Sequence, residues 1–313
     1  MLGRTANDLY WMARYVERAE NMARLLEVGQ RLSLLTHESG HSEWRSTLRS
    51  AGCEEGYLTK HGAYESDKVI EFLLLDRNNP SSVCSCFDTA RRNARAQRTA
   101  ITREMWESLN TAWIELASRA RPRMKANELP PLFDWVRDRS ALFRGAFLNT
   151  ILRNDTFFFT QLGTFLERAD NTARILDVKY YVLLPQNELV GGGVDSAQWA
   201  AILRSVSAHR SFRWVYRDTF KPWHIAEFLM MSSEMPRSLR SCYAEITGAL
   251  AGLADHYGQT PSCLELAQRT LKTLEHGEMT AIFQSGLHEF LSDFISNNNR
   301  LANEIAATYH FND

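Results

Sequence analysis

The sequence contains an internal duplication, which constrains the fold more than any other feature. The segment Glu17–Val28 recurs 150 residues later as Glu167–Val178, and its one change of chemical character is Met22 against Thr172. Two later blocks return in the same order: Leu48-Arg49-Ser50 as Leu203-Arg204-Ser205, and Ser85-Cys86-Phe87 as Ser241-Cys242-Tyr243. Because a repeated sequence folds into a repeated unit, we expect two pseudo-symmetric halves, residues 1–150 and 151–313, packed as one globular unit. The junction is expected near residues 145–155.

The periodicity of apolar residues indicates an all-α protein. Helical spacing runs through the Gly- and Pro-poor stretches 82–118 and 155–184, and the alternation typical of strands is absent. The predicted fold is a duplicated helical bundle. Turn-forming residues predict breaks at five places: Ser39-Gly40, Asn78-Asn79-Pro80, Pro130-Pro131, Pro185 to Gly193, and Gly258 to Pro261.

Charge and cysteine usage limit the classes of partner. The chain has 36 basic and 37 acidic residues, a net charge of -1, so no global attraction to nucleic acid or anionic lipid is expected. No apolar run is long enough to span a membrane, and the start of the chain does not have the pattern of a secretory leader. Five cysteines without paired CxxC spacing suit a reducing compartment. We therefore expect a cytoplasmic protein without nucleic-acid or membrane partners.

A stripe of charged and amide side chains follows the repeated helix. At about 100° per residue these side chains share one face, and the same positions are polar in both copies: Arg14, Glu17, Glu20, Asn21 and Arg24 in the first, and Glu167, Asp170, Asn171 and Arg174 in the second. A solvated face would tolerate other polar residues at these positions. We therefore select the two stripes as candidate ligand-binding residues.

Three interpretations of the stripe stay open at this point. Glu17 and Arg24, with their counterparts, could form a buried ion-pair network that locks two helices together. The stripes could instead line a cleft that binds a peptide or amino acid carrying both charges, or they could be a plain exposed face. Identical residues imply identical surroundings, so the helices of Glu17 and Glu167 are expected to lie close together about a pseudo-twofold axis.

An arginine cluster lies in the first half alone. Arg91, Arg95 and Arg98 are spaced at i, i+4 and i+7 on what we predict to be one long helix, and the stretch after Cys242 has no equivalent. Guanidinium groups in this arrangement suit a phosphate, a carboxylate-rich peptide or an acidic partner surface. The alternative is an exposed face paired with Glu104 and Glu107. We predict a partly accessible site for an anion or an acidic partner.

The apparent metal and cofactor motifs of the sequence lack the structural context that binding requires. The segment His37-Glu38-Ser39-Gly40-His41 matches the HExxH pattern, but Ser39-Gly40 is a helix-ending pair and that zinc chemistry needs one continuous helix. A di-metal centre needs Glu-x-x-His on two helices, and the sequence has one such spacing. A nucleotide-binding loop and a nucleophile elbow are both missing. We expect neither a metal nor a cofactor, and no catalytic residue can be named.

Several segments along the chain resemble those of the bacterial alpha-E domain family: Leu9-Tyr10-Trp11-Met12-Ala13-Arg14-Tyr15-Val16-Glu17-Arg18, Glu71-Phe72-Leu73, Glu104-Met105-Trp106, Phe165-Leu166-Glu167-Arg168 and Pro236-Arg237-Ser238. The resemblance covers essentially the whole chain. It implies an all-helical bacterial protein, encoded beside or fused to a circularly permuted ATP-grasp ligase, with neighbours that suggest synthesis or modification of a small peptide.

These observations lead to one functional expectation and two alternatives. We expect an accessory or peptide-binding partner of an ATP-grasp amide ligase, because the chain has no nucleotide site of its own with which to activate a carboxylate. The first alternative is a stand-alone enzyme that acts on an amino acid or peptide, with Glu17 or Glu167 as general acid or base beside Arg24 or Arg174. The second is a non-catalytic assembly scaffold.

Overall fold

The computed structural model describes residues 1–34, 41–181, 192–217 and 221–311. The chain in these ranges is helical, with no strand. Fifteen helices follow one another in this order: α1 Gly3–Ser33, α2 His41–Ser50, α3 Glu54–His61, α4 Ser66–Leu74, α5 Val83–Ala96, α6 Arg103–Arg119, α7 Leu129–Thr150, α8 Asp155–Tyr181, α9 Gly193–Ser205, α10 His209–Tyr216, α11 Pro222–Met231, α12 Leu239–Tyr257, α13 Ser262–His276, α14 Met279–Ser285 and α15 Leu287–Thr308. The predicted all-α class is confirmed.

Helices α1 and α8, which carry the repeated segment, pack against each other at the centre of the molecule. They approach each other closely at Gly163, where a Cβ atom would stand 2.1 Å from the backbone oxygen of Tyr10 and 3.2 Å from the Cβ of Ala13. Since Ala13 is the counterpart of Gly163 at the 150-residue spacing, the two helices cross near corresponding positions. The small side chains allow this close contact.

Corresponding helices surround the two central ones. Helix α5 packs on α1, and α12 packs on α8. Both outer helices begin at a serine whose hydroxyl accepts a hydrogen bond from the backbone N–H three residues on, Ser82 from Ser85 and Ser238 from Ser241, as is typical of an N-cap. Cys86 and Cys242 are fully buried at matching positions. The local packing thus follows the sequence repeat, while superposition of the two complete halves stays a prediction.

Two of the predicted breaks, Asn78-Asn79-Pro80 and Gly258 to Pro261, lie between helices. The break predicted at Pro130-Pro131 is wrong, because these prolines occupy the first turn of α7. A proline is tolerated there, since the N–H that it lacks has no partner within the helix. The Ser39-Gly40 break and most of Pro185 to Gly193 fall outside the described residues, as does most of the HExxH match.

The single helix predicted over residues 82–118 is also wrong. Helix α5 ends at Ala96 and α6 begins at Arg103. The side chain of Thr102 accepts a hydrogen bond from the backbone N–H of Met105 and so starts α6. A local hydroxyl cap competes here with continuation of the helix.

Across the described residues, the structure contains no helix that is both long and apolar enough to cross a membrane.

Candidate functional site

Two Glu-Arg pairs face each other across the contact between α1 and α8. Arg168 donates to both carboxylate oxygens of Glu17, at 3.0 Å each. Arg18 donates to both oxygens of Glu167, at 2.6 and 2.9 Å. Each glutamate is therefore bound by the arginine that follows the other glutamate in sequence, in the bidentate geometry that suits guanidinium and carboxylate groups. The reciprocal pairs join the two central helices.

Further arginines surround Glu17. Arg144 on α7 donates to it at 3.0 Å, and Arg237, in the turn before α12, donates at 3.1 Å. Both of these arginines also bind Glu20, one turn further along α1. We name the whole group the Glu17 cluster; its two carboxylates and four guanidiniums belong to Glu17, Glu20, Arg24, Arg144, Arg168 and Arg237.

A second group surrounds Glu167. Besides Arg18, this glutamate accepts a hydrogen bond from Nε of Arg14 at 2.8 Å. One turn further on, Arg174 binds Asp170 at 2.6 Å. We name this group the Glu167 cluster; its members are Arg14, Arg18, Glu167, Asp170 and Arg174.

Each cluster also reaches the C-terminal end of a neighbouring helix. Arg24 donates to the carbonyl oxygen of Ser205, the last residue of α9, and at 3.2 Å to the hydroxyl of Ser207. Arg174 donates at 3.4 Å to the carbonyl oxygen of Ser50, the last residue of α2. Carbonyl groups at a helix C-terminus lack partners within the helix and carry partial negative charge. The arginines thus attach α2 and α9 to the central pair.

The glutamates of both clusters are buried, and they are held ionised. Burial alone would favour the protonated form of Glu17, but the guanidiniums of Arg168, Arg237 and Arg144 outweigh this and hold its pKa well below the usual range. For Glu167 burial is likewise opposed by Arg18 and Arg14, which bring the pKa to about 2. Close opposite charges and hydrogen bonds to the ionised form have this effect. Neither carboxylate carries a proton near neutral pH.

Arg24 shows the effect of surplus positive charge. Burial, together with the positive charge of Arg237, lowers the pKa of Arg24 to about 10, although Glu20 opposes the shift. A guanidinium ordinarily stays above 12. The Glu17 cluster therefore holds the charged form of Arg24 at some cost in free energy.

The structure brings the predicted stripe residues together and buries most of them. The exposed fractions are 7% for Arg14, 1% for Glu17 and 5% for Arg24, so the interpretation as a plain exposed face is wrong. Asp170 is half-buried, whereas Glu20, Asn21, Glu167 and Asn171 are buried. The ion-pair interpretation agrees with these contacts, with one correction: Arg24 binds Glu20, and the partners of Glu17 are other arginines.

The sequence reasoning missed four arginines of the clusters, Arg18, Arg144, Arg168 and Arg237. Consecutive helical residues point about 100° apart, so Arg18 does not share the face of Glu17 and was not counted in the stripe. Its bond is to a residue on another helix, Glu167. The available signal was the repetition of the Glu-Arg pair itself. Arg144 lies on α7, and nothing in its local sequence links it to α1.

Two buried asparagines in the stripe have incomplete hydrogen bonding. Asn21 donates at 3.4 Å to the backbone oxygen of Glu167, while its own amide oxygen has no hydrogen-bond partner in the described part of the chain. The amide nitrogen of Asn171 likewise has none there. Buried polar atoms without partners are uncommon and costly.

The arginine cluster of the first half is more dispersed than predicted. Arg98 lies beyond the end of α5, so it does not share a helix face with Arg91 and Arg95. Arg91 is half-buried, donates to Asn110 at 2.9 Å and lies 4.2 Å from the ring centre of Trp113. Arg98 is exposed over the ring of Trp106, and Arg95 is exposed. No described carboxylate binds any of the three; their role toward an anion or acidic partner stays a prediction.

Among the described residues no group of three or more His, Cys, Asp or Glu side chains could hold a metal ion. The five cysteines are free thiols, and the pKa of Cys86 and of Cys242 is raised by burial, the latter to about 12. Thiols in this state are poor nucleophiles.

Comparison with known proteins finds a family whose description includes a Glu-Arg motif. A family described as a predicted alpha-helical domain with a conserved ER motif, Alpha-E, matches residues 1–310. In this sequence Glu is followed by Arg only at 17–18 and 167–168, which are the reciprocal pairs described above. Uncharacterised proteins of Mycobacterium bovis and of Mycobacterium tuberculosis are 35% identical over 117 residues, 33% of this chain. The match covers only 13% of the length of these relatives. No solved structure matches the chain.

Proposed function

The chain belongs to the Alpha-E family, and we propose that it is a non-catalytic accessory protein that binds a carboxylate-bearing peptide or amino acid. Its partner in this proposal is a circularly permuted ATP-grasp amide ligase of bacterial peptide synthesis or modification, working in the cytoplasm. The choice of this ligase as the partner rests on the resemblance of the sequence to the alpha-E domain family. The ligand rests on a single observation, the excess of arginine in the Glu17 cluster.

The charges in that cluster do not balance. Four guanidiniums face two carboxylates, and no other carboxylate forms an ion pair with them among the described residues. The N-terminus of α12 begins two residues after Arg237 and adds partial positive charge. Buried charges are stable only when each is paired. A ligand carboxylate would supply part of the missing negative charge.

Part of the cluster is in contact with solvent. The side chain of Arg144 is 21% exposed, whereas those of Glu17 and Glu20 are 1% and 0% exposed. Ser207, whose hydroxyl binds Arg24, is also exposed. A carboxylate that enters from solvent would meet Arg144 and the Ser207 hydroxyl first, and the buried Glu-Arg pair would keep the arginines in place.

The geometry favours binding over acid-base catalysis. A general acid or base works best with a pKa near the operating pH, and the pKa values of Glu17 and Glu167 are shifted in the opposite direction. Their oxygens are also occupied by arginine donors. The stand-alone enzyme is therefore the weaker candidate. A pure assembly scaffold stays the second candidate, since the ion-pair network by itself serves folding.

A ligand titration tests the proposal. The melting temperature is measured with increasing N-acetylglutamate and, separately, with the matching uncharged amide, because a ligand that binds only the folded state raises Tm with concentration. We expect a rise with the acid alone, and its loss in Arg144→Gln. Arg95→Gln, exposed and outside the cluster, is the control. Equal effects of acid and amide, no effect of the acid, or an unchanged response of Arg144→Gln would reject the carboxylate site.

A further inference from the structure

Helix α10 presents a basic and aromatic surface to solvent. We name it the α10 face; it consists of Arg210, Arg213, Trp214 and Arg217, all exposed. The opposite side of the helix holds it on the protein, because Phe212 is fully buried and packs on Phe228 with ring centres 5.7 Å apart. The α10 face is therefore displayed by a helix that is anchored on its other side.

Trp214 is the most exposed large apolar side chain in the described residues, at 88%. A scattered exposed apolar residue needs no explanation, but here the indole is surrounded by arginines and borders a depression of about 320 Å³ that Val215, Met235 and Pro236 also line. Tryptophan and arginine are the residue types that contribute most at protein interfaces. An exposed indole among arginines, beside an apolar depression, suits a partner whose own apolar side chain enters that depression.

The corresponding helix of the first half is α3, whose ends lie 155 residues before those of α10. Its residues at the matching positions share none of this chemistry: Glu55, Leu58, Thr59 and Gly62. An acidic residue thus stands where α10 has Arg210, and a threonine where it has Trp214. The α10 face is a feature of one copy and is not part of the sequence pattern that the copies share.

The backbone at Arg217 supports the same conclusion. Gly62 ends α3 at a φ of 74°, and Arg217 ends α10 at a φ of 53° with a ψ of -121°. A residue other than glycine is strained in this region of positive φ. The strain is tolerated at an arginine that directs its charge to solvent, although glycine would relieve it. Arg217 thus adds a positive charge to the α10 face at a cost in local stability.

We propose that the α10 face is the docking site for an acidic segment of a partner protein that carries at least one apolar side chain. Charge complementarity identifies the occupant: Arg210 and Arg217 form no ion pair with any described residue, and Glu234 is the one described carboxylate that lines the two depressions beside Trp214. The proposal deepens the accessory role proposed above by assigning the surface through which the chain meets its partner.

The size of the α10 face argues against a lipid surface. Clusters that bind anionic membranes usually contain four to eight basic residues beside a transmembrane helix or on an amphipathic one. The α10 face has one tryptophan and three arginines, of which Arg217 directly follows the eight-residue helix. The depression that Trp214 and Pro236 line, about 320 Å³ in volume, offers a concave apolar contact of the kind that a protein side chain can enter. Membranes and single-stranded nucleic acid are therefore outcomes of the test.

The experiment measures the binding of a fluorescein-labelled peptide, Asp-Glu-Phe-Asp-Leu-Glu, to the full chain by anisotropy at low salt. We expect saturable binding, weakened about tenfold or more in Trp214→Ala and in Arg210→Gln/Arg217→Gln. The same peptide with Asn and Gln in place of Asp and Glu should bind much more weakly. Thr59→Ala on α3, at the position that matches Trp214, is the control and should leave binding unchanged. Because these side chains are exposed, circular dichroism should show the variants folded.

Three outcomes would overturn the proposal. They are no binding of the acidic peptide, equal binding by Trp214→Ala, and tighter binding of phosphatidylserine vesicles or oligothymidine with the same dependence on Trp214. The result is separable from the carboxylate site. Arg144→Gln should bind the peptide normally, and Trp214→Ala should keep its Tm response to N-acetylglutamate.

Discussion

The two Glu-Arg pairs have the same local sequence but different surroundings. Glu17 is bound by Arg168, Arg144 and Arg237, whereas Glu167 is bound by Arg18 and Arg14. The additional arginines at Glu17, Arg144 and Arg237, come from outside the repeated helix, whereas Arg14 lies on α1 ahead of the repeated segment. At the position that matches Arg237 the first half has Ser81, and at the one that matches Arg14 the second half has Thr164.

The comparison separates two roles for one motif. The reciprocal bidentate pairs, present on both sides, join α1 to α8. The surplus arginines, which are most numerous around Glu17, create a positive charge that no carboxylate in the described part of the chain neutralises. A buried ion pair retained for packing needs no such surplus, because each added cation raises the desolvation cost. The helix contact therefore belongs to both clusters, and we propose ligand binding for the Glu17 cluster alone.

The largest expected effect follows removal of a cluster carboxylate. Glu17→Gln keeps the shape of the side chain but leaves three arginines without that charge, and should reduce the free energy of unfolding by about 3 to 5 kcal/mol. Glu167→Gln should cost less, because two arginines lose their partner. Urea denaturation at neutral pH measures both changes.

Equal losses in these two variants would show that the surplus arginines do not distinguish the clusters. A normal melt of Glu17→Gln combined with lost ligand binding would instead assign Glu17 to the ligand alone. Unchanged stability and unchanged binding would reject both roles for the stripe.

Acid should destabilise the protein through the same carboxylates. Their pKa values are lowered on folding, so the stabilisation is complete above the unfolded value of 4.5 and declines as the pH falls toward the folded value, about 2 for Glu167. The contribution of Glu167 is on the order of 3 kcal/mol. Urea denaturation between pH 7 and 3 should show this decline, with a smaller slope in Glu167→Gln. An identical slope in that variant would contradict the assignment.

A change at the helix crossing should loosen both clusters at once. Gly163→Ala places a methyl group 2.1 Å from the backbone oxygen of Tyr10, and the helices must separate to accommodate it. Overpacking of this kind costs about 1 to 3 kcal/mol. Thermal melts measure the loss, with Gly248→Ala as the control, since a Cβ there meets no atom within 4 Å. A stabilised Gly163→Ala would mean that the crossing is not tightly packed.

The smallest effect is expected at Arg144, and it sharpens the comparison most directly. Its side chain is 21% exposed, and Arg144→Gln leaves Glu17 with two arginines, as Glu167 has. The free energy of unfolding should change by about 1 kcal/mol or less, and in this background the costs of Glu17→Gln and Glu167→Gln should converge. Urea denaturation of the double variants tests the convergence. A difference that persists would locate the asymmetry elsewhere.

Sequence patterns predicted the candidate site only in part. The stripe from Arg14 to Arg24 was found because helical periodicity and repetition are local properties of the chain. Arg237 and Arg144 were not found, because each approaches Glu17 only after helices distant in sequence have packed. The ends of α5 and α6 were missed for a different reason: a single threonine cap overrides the periodicity of the flanking residues.

The sequence by itself determined the helical class, the family and the repeated Glu-Arg segment, since all three are encoded in spacing and identity along the chain. The tertiary structure alone decided that each glutamate binds the arginine of the other copy, that the stripe is buried, and that four guanidiniums surround two carboxylates at Glu17. Those facts depend on which helices touch. Contacts between residues more than a hundred positions apart arise from the packing of whole helices, and no local pattern specifies them.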